Sequence, residues 1–262
     1  MDDSRHTRDL VALAREDPNA FERAMARASD ERLDKLTDDL EEQALYRAAE
    51  SVYRVLISRH PAVERHRSNL ALNLYYRQRD GARAEEFLCE ATRDFPDSAT
   101  LAVIRGTNLA WGLGRHHAAL PEYARAVELA PDDAINQGSL AWCLLWLGEI
   151  APGLEHARRS LDCKVEQSDE SRLASHFYLY LFAADDERPA ALESIAQLIS
   201  GGARLQDWDV SRLVERAREQ GHPESDRLAD LVRVLDGAAS PLQLHDWPAW
   251  RLASPVVQGL WT

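Results

Sequence analysis

Nine histidines and three cysteines are the residues of this chain best suited to metal binding or nucleophilic chemistry. Spacing decides whether they do either. His116 and His117 are neighbours after Gly114-Arg115, and adjacent residues on a turn do not converge on one ion. No HxxxH or HExxH occurs, the spacing that brings two imidazoles onto one helix face. Cys89, Cys143 and Cys163 are odd in number, far apart and without a CxxC, so neither a disulfide framework nor a zinc site is indicated. No GxSxG, Walker-type loop or dinucleotide glycine fingerprint is present. The acidic runs Asp38-Asp39 and Asp185-Asp186-Glu187 read as solvated helix ends and turns. One cluster remains: Arg172, His176 and Tyr180 stand at i, i+4 and i+8, where a histidine either meets a ligand or is satisfied by its own surroundings. Nothing here specifies catalysis, a metal site or a cofactor, and the expectation is a protein that is not an enzyme.

Amides and aromatics offer a different chemistry. Asn73 and Asn108 lie 35 residues apart, and so do Tyr76 and Trp111. An amide bonds a peptide backbone in both senses, and an aromatic face accepts its side chains. The pairing therefore predicts capture of an extended peptide. Asn69, Trp142 and Trp146 extend this surface, and the tryptophans serve equally well as core between repeats. Trp142 and Trp146 are four apart, so core packing alone draws at least one inward. Arg105 and Arg172 add a weaker anion site, since arginine pairs carboxylates in a bidentate way.

The elements that must position these residues follow from a longer period. Pro61, Pro96 and Pro131 sit 35 residues apart, and equal steps back give Ala49/Ala84/Ala119, Tyr53/Leu88/Tyr123 and Leu56/Ala91/Ala126. Such a period marks stacked helical hairpins. The clearest unit has a first helix around Leu101 to Leu113, stopped at Gly114. Its second helix, His117 to Leu129, puts Ala119, Tyr123 and Ala126 on one face. The preceding unit shows Leu72, Tyr75, a turn at Asp80-Gly81, then Ala84, Leu88 and Ala91. The following one steps by 34, with Leu140, Leu144, Gly148, Gly153, Ala157 and Ser160.

On these residues the chain resembles the tetratricopeptide repeat family, most closely in the second helices. The resemblance implies an all-α, right-handed solenoid whose first helices line a concave groove. Within it the best repeats are 65–98, 99–133 and 134–164, with degenerate copies at 30–63 and 171–201. No Gly or Asp separates the two helices of the first copy. Residues 1–29 read as capping helices, with Asp17-Pro18 opening one of them; 30–203 as the solenoid; 204–240 as a helical pair; and 241–262 as a Trp-rich tail. That groove would present Asn69, Asn73, Tyr76, Arg105, Asn108, Trp111, Trp142, Arg172 and His176. The only lysines, Lys35 and Lys164, occupy no position of the family's carboxylate clamp, which disfavours a chaperone-tail receptor.

Bulk properties narrow the partners. A formal net charge of −13 argues against nucleic acid, and no apolar run is long enough to cross a membrane. The start, MDDSRHTRDL, lacks the apolar stretch of a secretory signal, so a cytoplasmic location is expected. The tail holds three of seven tryptophans, too apolar to stand in water. It packs on its own solenoid, fills the groove, docks a partner protein, or joins two copies as a homodimer. The leading expectation is a scaffold holding a peptide or protein; the alternative is a dedicated chaperone or accessory subunit docking through its acidic surface or its tail.

Overall fold

A computed structural model describes residues 3–163, 167–205 and 208–253. Helices and turns account for all regular structure among them, and no strand occurs there. Two compact units divide the chain, Met1–Ala119 and Leu120–Thr262, with the boundary inside one helix.

The first unit opens with α1 (Asp3–Glu16) and α2 (Pro18–Met25). Asp17 caps α2 as expected, accepting the Ala20 N–H at 2.9 Å ahead of a proline that needs no donor. Arg59 closes the other end of α2, donating to the carbonyls of Ala26 and Ala28 while holding Asp30 at 2.8 Å. Three hairpins follow: α3 (Asp30–Glu42) with α4 (Tyr46–Arg59), α5 (Glu64–Leu72) with α6 (Gly81–Asp94), and α7 (Ala99–Thr107) with α8 (His116–Leu129). Within this unit the second-helix register reads as expected: Ala49, Tyr53, Leu56, Ala84, Leu88 and Ala91 are all buried. Leu33, Leu36, Leu40, Leu70, Leu74 and Leu101 fill the same core, each fully buried leucine contributing about 1.5–3 kcal/mol.

A left-handed residue turns the chain between the helices of each of the first four hairpins: Ala44, Arg79, Gly114 and Gly148. The first repeat, with no Gly or Asp between its helices, turns at an alanine. One expectation is corrected. The second turn is centred on Arg79, not on Asp80-Gly81: Asp80 caps α6 through the Arg83 N–H, and Gly81 is there because a Cβ would stand 3.0 Å from the Gly112 carbonyl oxygen.

The passage from first-helix start to turn takes 14 residues from Asp30 to Ala44 and from Ala134 to Gly148, but 15 from Glu64 to Arg79 and from Ala99 to Gly114. The extra residue is absorbed in π-helical turns, Asn73–Arg77 after α5 and Asn108–Gly112 after α7. Both show the same wide bonding: the Gln78 N–H reaches the Asn73 carbonyl and the Leu113 N–H the Asn108 carbonyl. A period of 35 is thus a 34-residue hairpin carrying one inserted residue.

The second unit contains the end of α8, then α9 (Ala134–Leu147) with α10 (Ile150–Asp162) and α11 (Asp169–Phe182) with α12 (Arg188–Ser200). After these come α13 (Ser211–Glu219), α14 (Leu228–Leu235) and α15 (Pro248–Ala253). Val210, Leu213, Val214 and Ala217 bury one face of α13's segment, and Leu228, Leu231 and Leu235 one face of α14. In the tail Leu244, Trp247 and Trp250 are buried, the two indoles stacked 6.3 Å apart, and α15 packs on α12. Through Ala253 the tail is core of its own unit, whereas Leu242 and Leu252 stay exposed. Pro255, Val256, Val257, Leu260 and Trp261 lie outside the described residues, as does Lys164.

Candidate functional site

The asparagines that read as a surface ladder are inside the protein. Asn73 is 1% and Asn108 0% exposed. Each opens a π turn, where the wide backbone needs a side chain to tie it down. The Asn73 amide nitrogen donates to Glu41 Oε1 at 3.1 Å, and its oxygen accepts from Gln78 Nε2 at 2.8 Å. Asn108 donates to the Gly81 carbonyl at 3.0 Å, bonding the second helix of one repeat to the first helix of the next. Glu41 also accepts from the Tyr53 hydroxyl (3.2 Å) and Arg77 Nε (3.3 Å). Gln78 reaches on to Glu50, which Arg54 and Arg83 also bind. Burial pushes the Glu50 carboxyl upward, but the hydrogen bonds from Gln78, Arg83 and Arg54 outweigh it and hold the group below the usual carboxylate range. The amides are spent on fold.

What these turns leave at the surface is aromatic and basic. Tyr76 is 39% exposed, with the guanidinium carbons of Arg77 and Arg79 at 5.4 and 5.0 Å from its ring centre. Leu72, one helical turn before it and part of the repeat pattern, is 43% exposed. Asn69 is half-buried on α5. Trp111 holds in the second π turn the place that Tyr76 holds in the first, and is half-buried. Arg105 is committed: its Nε and Nη2 both bind Glu85 Oε1, at 3.1 and 2.8 Å, which neutralises the anion site expected there.

In the second unit Trp142 is the indole that core packing draws inward: it is buried, gives its N–H to the Asp209 carbonyl and lies 5.1 Å from the Trp146 ring. Arg172 is exposed and bound to Asp169 at 3.3 Å. His176 is half-buried, and burial, with the Arg172 charge adding, lowers its pKa to about 4. Tyr180 is buried. The three residues therefore run from solvent into the core and do not present one ligand face. Among the described residues no group of three or more His, Cys, Asp or Glu could hold a metal ion, and no helix is long and apolar enough to span a membrane.

The sequence matches no protein-family model and no curated protein. Solved structures do resemble it. MamA from residue 41 to its end, from Desulfovibrio magneticus RS-1, is 15% identical and aligns over 65% of this chain and 93% of its own, with a TM-score of 0.50. A MamA RS-1 ArsTM double mutant is 13% identical over 66% of this chain and 96% of its own, with a TM-score of 0.53. The fold is that of the tetratricopeptide-repeat proteins.

As a tetratricopeptide-type array, the chain presents Tyr76, Leu72 and Asn69 from a first helix. Leu72 and Arg79 escape a reading of sequence alone, because the leucine sits in an apolar register and the arginine resembles any other loop arginine. The change of step from 34 to 35 marks the π turns, and with them the turn at Arg79.

Proposed function

We propose that this protein is a non-enzymatic adaptor that holds a peptide or protein partner on the first-helix face of its N-terminal unit, centred on Tyr76 with Leu72, Asn69, Arg79 and Trp111. The carrying observation is the exposed Tyr76 ring, its centre within 5.4 Å of two guanidinium carbons, with an exposed leucine one turn away. Tyr, Trp and Arg are the side chains that dominate interface energetics, because they bury area while losing little conformational freedom. The network beneath, from Glu41 through Asn73 and Gln78 to Glu50, fixes the π turn in advance, so little ordering is left to oppose binding. The matching partner segment carries an apolar side chain for the Leu72–Tyr76 face and a carboxylate for Arg79.

Quantitative affinity capture from an extract of the source organism tests this reading. Tyr76→Ala combined with Leu72→Ser removes exposed groups only and leaves helicity unchanged. Captured partners should fall roughly tenfold or more relative to wild type. A variant that captures the same proteins in the same amounts would sink the assignment. The dedicated-chaperone reading loses support for the tail through Ala253, because Trp247 and Trp250 are already used in the core of their own unit.

A further inference from the structure

The second unit carries an open cavity of about 610 Å³, within the range that holds small ligands and peptide side chains. The end of α11, the start of α12, the 221–224 turn and α15 surround it. Its walls are braced from within. His222 is buried and bridges two elements: Nε2 meets the Tyr180 carbonyl at 3.1 Å, while Nδ1 accepts the Glu224 N–H at 3.1 Å. The imidazole stands edge-on to the Tyr180 ring at 5.0 Å, and Trp247 backs that ring at 6.2 Å.

Three properties of the lining point to a ligand. Pro189, Leu192, Pro223 and Ala249 make much of the wall apolar. Tyr180, 3% exposed, is one of the lining residues, and its hydroxyl and the Arg188 Nε are both buried with no hydrogen-bond partner among the described residues. Such buried groups are costly to leave unpaired. Asp186, Glu193 and Glu224 belong to the same lining with no basic side chain of the described residues at ion-pair distance, while the Arg188 guanidinium there is bound to Asp185. A largely apolar pocket whose lining also carries unneutralised carboxylates concentrates cations that carry an apolar stem.

We propose that this cavity is a second docking site, taking an apolar peptide segment of a partner protein that bears an arginine or lysine. The aliphatic stem lies against Pro189 and Leu192, the charge meets Glu193, Glu224 and Asp186, and a peptide carbonyl accepts the Tyr180 hydroxyl. The site lies wholly in the second unit and does not depend on the Tyr76 surface.

The test titrates the full chain with a short fluorescein-labelled peptide of alternating leucine and arginine, and with its leucine/glutamate counterpart, by fluorescence anisotropy. Only the arginine peptide should saturate, and its binding should weaken as salt rises. Asp186→Asn, Glu193→Gln and Glu224→Gln together should weaken it by roughly tenfold or more. Glu193→Gln alone, on exposed helix surface, should give a smaller loss in the same direction if the triple variant loses helicity. Tyr180→Phe should weaken binding without lowering the thermal midpoint, because it deletes an unsatisfied hydroxyl. Tyr76→Ala should leave this binding unchanged, which separates the two sites. No saturation, equal binding of the glutamate peptide, or full-strength binding by both carboxylate variants overturns the proposal. So does binding of both peptides alike that appears only when residues 254–262 are removed, which would assign the cavity to the chain's own end.

Discussion

Ala44, Arg79, Gly114 and Gly148 do one job with three kinds of side chain. Glycine does it without a steric penalty, whereas an L-residue in the left-handed region costs about 1–2 kcal/mol. Ala44 sits at φ 57°, so Ala44→Gly should raise stability by about 1 kcal/mol in urea denaturation. Gly114→Ala should lower it by a similar amount for backbone reasons alone, since nothing stands within 4 Å of the added methyl. His176 makes a residue-scale prediction about pH. Its folded pKa of about 4 lies below the ordinary 6.5, so between these values the unfolded chain takes a proton that the folded chain refuses. Its contribution is complete above pH 6.5 and is lost as pH falls toward 4. His176→Gln should flatten the fall of stability across that window, as followed by thermal unfolding at several pH values. An unchanged slope would show that the imidazole is not buried as described.

At the scale of elements, the π turns decide which residues face out. Asn108→Ala removes the donor to the buried Gly81 carbonyl and should cost about 1–3 kcal/mol, read as a lower midpoint in the same urea titration. Tyr76→Ala should change that midpoint little, because its ring is substantially exposed. The contrast separates fold from binding within two consecutive turns. It also marks what a sequence can disclose. Second helices were legible because Ala49, Ala84 and Ala91 are small where backbones approach, and smallness has few other uses at that spacing. First-helix faces were not, because a buried amide tying a wide turn and a surface amide waiting for a peptide are the same residue type at the same period. Trp142 was ambiguous for a related reason, since an indole serves core and interface alike. The exposure of Leu72 was not legible because an apolar position of the repeat ordinarily packs inward, whereas here Leu70, Ala71 and Leu74 take the buried face and leave it outside.

For the molecule as a whole, a net charge of −13 makes Tyr76 and Arg79, beside an Arg77 already paired with Glu41, a local exception on an acidic protein. The cavity beside Tyr180 has the opposite character, largely apolar with carboxylates in its lining. Two surfaces of opposite preference in separate units fit the adaptor we propose. The central claim is that the Tyr76 surface meets a partner, and site-specific photo-cross-linking in the source cell tests it most directly. A benzophenone amino acid replaces Tyr76 in one strain and exposed Glu90 of α6 in another. A discrete cross-linked species is expected from position 76 and not from position 90. Equal cross-linking from both positions, or none from 76, would contradict it.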